Sequence, residues 1–226
     1  MVEPRLDTAH ESWDRGWAVA ATRARWTEPE PAVTGVVPEL LERGARRVLD
    51  VGTGIGRHAL AFARAGFDVV AIDASATGLA QLQAAAEAEA LSIETRLAAF
   101  TDLPLDDGSV DHVLAWNVLY HGDAEVVRRA FAECERVLRA DGTVQLTMLS
   151  KRHRAFGVGR EIRPDTFVDD ASADDKDHPH FYVDATNLTA MLGDARLDVR
   201  SMVDVDQHPP MGAFHWTVYA QATPRG

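Results

Sequence analysis

This sequence has few of the features that mark secreted, membrane or nucleic-acid-binding proteins. One of its 226 residues is a cysteine, Cys134, so an internal disulfide is impossible and we expect a reducing, cytoplasmic location. No apolar run approaches the roughly 18 residues of a membrane span, and we expect no signal peptide. The 23 basic residues are outnumbered by 35 acidic ones, and the resulting net charge of -12 argues against nucleic acid or an anionic membrane as the main partner.

Short apolar runs alternate with helical patterns along most of the chain. Five strands are predicted, at residues 48–51, 69–72, 93–98, 110–116 and 143–149. Helical patterns are predicted at residues 58–65, 76–90, 125–138 and 184–192. This alternation is typical of a parallel sheet covered by helices on both faces. Two closing strands, 197–205 and 215–220, have no helical pattern between them, so we expect them to form an antiparallel pair.

Two segments fall outside this alternation. Residues 1–45 are polar, contain three tryptophans and several prolines, and are predicted to form a cap of short helices. Residues 150–183 have clustered basic residues followed by clustered acidic ones, so we predict an irregular lid after the fifth strand. We therefore predict one domain over residues 1–226, with lid segments at its N-terminus and after the fifth strand.

A glycine-rich loop at residues 50–56, Asp-Val-Gly-Thr-Gly-Ile-Gly, joins the first predicted strand to a helix. Glycines at such a turn let a cofactor approach the backbone, and the helix N-terminus offers free N–H groups to an anion. Asp73 ends the next predicted strand, 21 residues after Gly52. An acid at that place accepts hydrogen bonds from both hydroxyls of a ribose. The combination predicts a site for a cofactor that contains a nucleoside.

The spacing of the glycines in this loop distinguishes between the candidate cofactors. The dinucleotide fingerprint requires a third glycine where Arg57 stands, and the sequence contains no G-K-[ST] phosphate loop. The pattern at residues 50–56 resembles the first motif of the class I S-adenosylmethionine (SAM)-dependent methyltransferases, in their small-molecule, type 11-like branch. The resemblance continues through Asp73 and residues 102–111 and covers about residues 45–223. It implies SAM as cofactor and a Rossmann-like, seven-stranded, mostly parallel sheet whose last strand is antiparallel.

The resemblance also implies how SAM would be bound. The first motif would flank the methionine part, with Asp50 helping to hold its amino group, and Asp73 would bind the ribose. The acid that often reads the adenine in this family is replaced here by Ala99 or Phe100, which leaves the adenine to nearby backbone groups or to Asp102. The tryptophans of the cap are expected either to cover the SAM pocket or, equally, only to pack against neighbouring side chains. The residues expected at the SAM site are Asp50, Gly52, Thr53, Gly54, Gly56, Asp73, Ala74, Phe100, Thr101, Asn117, Trp17 and Trp26.

Methyl transfer requires little beyond the cofactor site, because the methyl group of SAM is already activated on a sulfonium. The protein must align a nucleophile, exclude water and, for some acceptors, remove a proton. Four residues are candidates for contact with the acceptor: His121, His180, Tyr182 and His215. Each has a plain structural alternative, such as packing, helix capping or ordinary loop chemistry. The acceptor is expected to be a small molecule with an oxygen, nitrogen or sulfur nucleophile.

Other readings of the sequence stay open. A SAM-binding sensor or partner protein without transferase activity would share the cofactor motifs, whereas a nicotinamide oxidoreductase is disfavoured by Arg57. An acidic and histidine-rich run in the lid matches no metal-site spacing, so we predict a solvated loop and no metal; the run comprises Asp174, Asp175, Asp177, His178 and His180. Cys134 lies on an apolar helical face and is predicted to be a core residue. No pattern in the sequence indicates an oligomeric state.

Overall fold

A ten-stranded sheet forms the centre of the described chain, which comprises Leu6, residues 8–171 and residues 175–223 of a computed structural model. The strands are β1 Arg47–Val51, β2 Asp68–Asp73, β3 Ile93–Leu97, β4 Val110–Ala115, β5 Leu138–Ser150, β6 Arg160–Arg163, β7 Thr166–Val168, β8 His180–Val183, β9 Leu197–Asp206 and β10 Phe214–Ala222. The helices are α1 Ala9–Ala18, α2 Ala20–Arg23, α3 Pro31–Thr34, α4 Val37–Glu42, α5 Arg57–Arg64, α6 Ala76–Ala88, α7 Ala124–Val137 and α8 Ala185–Asp194, with a 3₁₀ helix at Asp175–Asp177.

Seven of these strands form the predicted Rossmann-like sheet, in the order β3-β2-β1-β4-β5-β10-β9. The pairs among β1 to β5 are parallel, and β10 is antiparallel to both β5 and β9. Central strands of such a sheet are covered on both faces, which explains their continuous apolar runs. In β1, for example, Val48, Leu49 and Val51 have no exposed surface. The predicted fold class is confirmed.

Helix α7 shows how local sequence and core packing agree. The Asp123 side chain accepts hydrogen bonds from the main-chain N–H groups of Glu125 and Val126, which caps the first turn. One face of the helix, including Phe131 and Cys134, is fully buried against the sheet. Burial raises the pKa of the Cys134 thiol to about 12, so the thiol stays protonated and behaves as a small core side chain.

The segment predicted as an irregular lid contains three short strands. β6 and β7 form an antiparallel pair, β7 pairs with β8, and β8 runs parallel to the end of β5, with Tyr182 opposite Leu149. The expectation of irregular structure was therefore wrong for these stretches. The strands are only three or four residues long, and β6 is mostly charged and partly exposed, so no apolar alternation marks it in the sequence. Whether the segment acts as a lid stays a prediction.

The N-terminal cap consists of four short helices, as predicted, and α1 packs against α6. The Asp14 carboxylate accepts hydrogen bonds from Ser75 Oγ at 2.6 Å and from the main-chain N–H of Thr77 at 2.9 Å. These bonds attach α1 to the first turn of α6, directly after the carboxyl end of β2. Among the helices of the described residues, none combines the length and the apolar character that a membrane crossing requires.

Candidate active site

The three glycines between β1 and α5 have backbone conformations that side chains disfavour. Gly52, Gly54 and Gly56 have φ angles of 67°, 56° and 86°, all in the left-handed region. Space is also restricted, because a Cβ atom on Gly54 would lie 2.8 Å from Cζ2 of Trp17, and one on Gly56 would collide with Leu82. The glycines therefore allow the loop to pass directly beneath the N-terminal cap.

Asp73, at the carboxyl end of β2, is bonded to that loop. Its Oδ2 accepts a hydrogen bond from the main-chain N–H of Gly54 at 2.7 Å, and its Oδ1 accepts one from Ser75 at the same distance. Burial raises the pKa of the carboxyl, while these N–H donors act in the opposite direction. The carboxylate is thus fixed at the edge of the sheet where a ribose would bind in an open α/β fold.

Asp50 is buried under the loop, with 2% of its surface exposed. Its Oδ2 accepts a hydrogen bond from Thr53 Oγ1 at 2.7 Å. Burial raises the pKa of Asp50 to about 7, and the neighbouring charge of Asp73 contributes to the same effect. Near neutral pH this carboxyl is therefore poised between its two protonation states, and a cationic group nearby would favour the carboxylate.

A pocket opens above the loop and contains nine of the twelve residues expected at the SAM site. These nine are Gly52, Thr53, Gly54, Asp73, Ala74, Phe100, Asn117, Trp17 and Trp26. Asp50 and Gly56, at the two ends of the loop, are buried and do not line the pocket, and Thr101 lines an adjoining cavity together with Ala99. The pocket also has lining residues that the sequence reasoning missed, including Trp13 and Trp116. Trp13 is one helical turn before Trp17, and this spacing could have indicated it.

An aromatic wall formed by Trp13, Trp17 and Trp26 closes one side of the pocket. The rings of Trp13 and Trp17 stack with centroids 5.1 Å apart, and Trp26 meets them edge-on at 5.5 and 6.3 Å. The Arg57 guanidinium lies 4.9 Å from the Trp26 ring and forms an ion pair with Glu30 at 3.1 Å. Electron-rich indole faces attract cations, so this wall suits a positively charged ligand atom.

A second cavity of about 720 Å³ adjoins the pocket. His121, in the loop after β4, lines both spaces, as do Ala74 and Phe100. The side chains of Arg129 and Arg163 also line the second cavity. His121 therefore occupies the position expected of a residue that contacts both a cofactor and an acceptor.

The other three acceptor-side candidates have different surroundings. His180 lies close to His121, with ring centroids 4.8 Å apart. Tyr182, two residues further along β8, is packed in an aromatic cluster that includes Phe156, at 5.6 Å. The His215 ring lies 5.7 Å from that of Tyr120, and its Nδ1 is 2.8 Å from the main-chain oxygen of Ala213. The fold thus brings His121 and His180 together and places Tyr182 and His215 in neighbouring aromatic packing.

Asn117 connects the end of β4 to the loop between β9 and β10. Its φ angle of 58° is left-handed, a conformation that asparagine tolerates better than most residues. The main-chain N–H of Asn117 donates to Thr147 Oγ1 at 2.7 Å, and its side-chain amide donates to Gln207 Oε1 at 3.2 Å. These bonds fix the pocket wall from two sides.

Comparison with known proteins agrees with this architecture. Residues 48–142 match the family model described as a methyltransferase domain. An uncharacterized methyltransferase of Mycobacterium tuberculosis (strain ATCC 25618 / H37Rv) is 35% identical over 148 residues, which cover 65% of this chain and 56% of that protein. The chain thus spans little more than half the length of this curated relative.

Solved structures share the fold at low sequence identity. The 1,6-didemethyltoxoflavin-N1-methyltransferase of Burkholderia thailandensis, solved with 1,6-didemethyltoxoflavin and S-adenosylhomocysteine, has a TM-score of 0.72 and 18% identity, covering 99% of this chain and 92% of that chain. The [4+2]-cyclase SpnF has a TM-score of 0.62 and 20% identity, covering 84% of this chain and 80% of that chain.

This chain is a Rossmann-like α/β protein with the methyltransferase type of fold. The order of its strands, the glycine loop after β1 and the position of Asp73 at the end of β2 define that class. The methyltransferase-domain match over residues 48–142 and the Mycobacterium tuberculosis relative confirm the resemblance to the class I SAM-dependent methyltransferases that was found in the sequence.

Proposed function

We propose that this protein binds SAM and transfers its methyl group to a small-molecule acceptor. The observation that carries the proposal is the position of His121, which lines both the pocket above the glycine loop and the adjoining cavity. SAM supplies an electrophilic methyl group on a sulfonium. A relative in structure, the toxoflavin-pathway enzyme above, is by its name an N-methyltransferase, which supports a small-molecule acceptor.

The residues around the pocket fit the cofactor. The Asp73 carboxylate would bind the ribose hydroxyls, and the loop at residues 52–55 would contact the methionine part through its backbone. Asp50, beneath the loop, would favour the methionine ammonium group by charge, acting partly through Thr53. The indoles of Trp13 and Trp17 would stabilise the sulfonium by cation–π attraction.

The second cavity would hold the acceptor on the side of His121, Arg129 and Arg163. Its other side, lined by Ala99, Phe100 and Thr101, would be left to the adenine of SAM. The volume of this cavity lies within the range of about 300–1,000 Å³ that is usual for small-molecule sites. Arg129 and Arg163 favour an acceptor with an anionic or strongly polar group. His121 would orient the nucleophile and, for a hydroxyl or ammonium acceptor, accept its proton. The nucleophile of the acceptor would be oxygen, nitrogen or sulfur, and the single cysteine supports a cytoplasmic location.

The test has a binding arm and a transfer arm. Calorimetry with SAM and S-adenosylhomocysteine should show binding to the wild type, and Asp73→Ala should weaken it. Methyl-labelled SAM incubated with a panel of phenols, amines and thiols should then label at least one acceptor. His208→Gln changes an exposed loop residue and serves as the control; it should alter neither SAM binding nor methyl transfer. Tight binding without transfer to any class of nucleophile would favour the sensor or partner function instead, and absence of binding would refute the proposal.

A further inference from the structure

Three buried histidines at the wall of the acceptor cavity form a group of which the methyl-transfer proposal uses only His121. His121 follows β4, while His178 and His180 lie at the start of β8, 57 and 59 residues further along the chain. Their exposed fractions are 5%, 2% and 0%. We propose that these three side chains bind one divalent transition-metal ion of the zinc class.

The ring nitrogens are close enough for one ion. One nitrogen from each histidine lies within 4.8 Å of the others, and Nε2 of His178 is already 2.9 Å from Nδ1 of His121. Tetrahedral zinc with Zn–N bonds of about 2.0–2.1 Å separates its ligand nitrogens by roughly 3.4 Å. The most distant pair must therefore approach by about 1.4 Å, which small side-chain rotations provide.

Hydrogen bonds orient two of the three rings in the way that metal-binding imidazoles require. Nδ1 of His178 lies 3.0 Å from Asp177 Oδ1, and Nδ1 of His180 lies 2.7 Å from the main-chain oxygen of His178. Both oxygens are acceptors, so each Nδ1 carries the proton; the Nε2 of His178 then accepts a hydrogen bond from Nδ1 of His121, which the ion would replace. Metal-ligating histidines almost always donate their other N–H to a carboxylate or a carbonyl in this manner.

The chemistry of the donor set points to a borderline or softer ion. Imidazole suits zinc, copper, nickel and iron, whereas calcium and magnesium prefer oxygen ligands. Three protein ligands also leave a coordination position for water or for a donor atom of a bound molecule. Because His121 lines the acceptor cavity, that position is where a thiol, phenol or carboxylate would be held, and with the ion bound His121 would position the acceptor instead of accepting its proton.

The site was not visible in the sequence because the third ligand is remote. The metal prediction considered only the run that ends at His180, and its spacing matches no known signature; Asp174 of that run lies outside the described residues. In the fold, His180 begins β8 and His178 lies two residues before it, with their ring centroids 4.5 Å apart. The loop after β4 then places His121 against them.

The experiment uses untagged protein that has been treated with a chelator and dialysed. Zn²⁺ is titrated against a chromophoric competitor, Co²⁺ is titrated with visible spectroscopy, and bound metal per chain is measured; SAM is absent, so the outcome is independent of the proposed function. We expect one ion per wild-type chain and intense tetrahedral Co²⁺ bands. The double variant His178→Gln/His180→Gln should lose the bound ion and the Co²⁺ bands. Asp177→Asn, which removes an orienting carboxylate, should bind Zn²⁺ about tenfold more weakly.

Two control variants separate this site from adventitious binding. His208→Gln removes an exposed imidazole, and His215→Gln removes a buried one with ring contacts outside the trio; both should keep the wild-type stoichiometry. Equal zinc stoichiometry and affinity in wild type and the double variant, or no bound ion in the wild type, would overturn the proposal. If the double variant fails to fold by circular dichroism, the affinity of Asp177→Asn decides, and wild-type affinity there counts against the site.

Discussion

Replacing Asp50 with asparagine should change how the stability of the ligand-free protein depends on pH. Burial, assisted by the charge of Asp73, raises the pKa of Asp50 to about 7 from an ordinary value of 3.8. Over that interval the folded chain holds a proton on Asp50 that the unfolded chain releases. The resulting stabilisation is fully present below pH 3.8 and is lost as the pH rises through about 7.

The magnitude follows from the interval between the two pKa values. Stability falls by about 1.36 kcal/mol for each pH unit between them, so from about pH 5 to about pH 8, of which about two units lie below the folded pKa, the loss is about 3 kcal/mol. In Asp50→Asn the side chain still offers an oxygen to Thr53 Oγ1 but has no charge to titrate. His58 and His112, whose pKa values are lowered to about 3 by burial, add an opposite pH dependence, but they are present in both proteins and cancel in the difference.

Urea unfolding of wild type and Asp50→Asn at both pH values measures this difference. We expect the free energy of unfolding of the variant, relative to the wild type, to increase by about 3 kcal/mol between about pH 5 and about pH 8. A change smaller than about 0.5 kcal/mol would refute the raised pKa. The same carboxylate should make SAM bind more tightly to the wild type as the pH rises toward 7, whereas the affinity of the variant should stay flat.

Four further predictions concern the cofactor and acceptor sides. Asp73→Ala should weaken SAM binding by calorimetry at least tenfold, because charge-assisted hydrogen bonds contribute about 1.5–3 kcal/mol each; unchanged affinity would contradict it. Gly54→Val should abolish binding, since the side chain meets Trp17, whereas Gly66→Val, at a positive φ in open space, should keep it. His121→Gln should lower turnover at saturating SAM more than it lowers SAM affinity. Amide hydrogen exchange in residues 151–180 should slow when cofactor and acceptor are both bound, and equal protection without ligand would argue against a lid.

The residues that local motifs assign to the cofactor lie mostly around one pocket, because the motifs occupy fixed places in the alternation of strands and helices. The glycine loop must follow a strand and precede a helix, and Asp73 must end the next strand, so position in the alternating pattern fixes both. The pocket contains most of the residues expected from that pattern. Asp50 was placed correctly beside the loop, but its burial and raised pKa depend on tertiary packing, which no local pattern reports.

The acceptor side could be predicted only in part, because its residues come together through long-range contacts. His121 was identified from its position after a strand. The neighbouring rings of His178 and His180 belong to a segment whose strands are too short to produce a readable period. Tyr182 lies on the same strand as His180, yet the aromatic packing around Phe156 determines its surroundings. Strand length and packing partners, rather than residue type, decide which of these side chains reaches a cavity.

Helix α1 connects the two sides of the site. Trp17 packs over Gly54 at the cofactor loop, Asp14 is bonded to the first turn of α6, and Ser12 Oγ donates to Asp177 Oδ1 at 3.2 Å. These residues lie within two turns of one helix, so they move together. Helix α1 thus carries both Trp17, at the cofactor loop, and Ser12, at the carboxylate that orients His178.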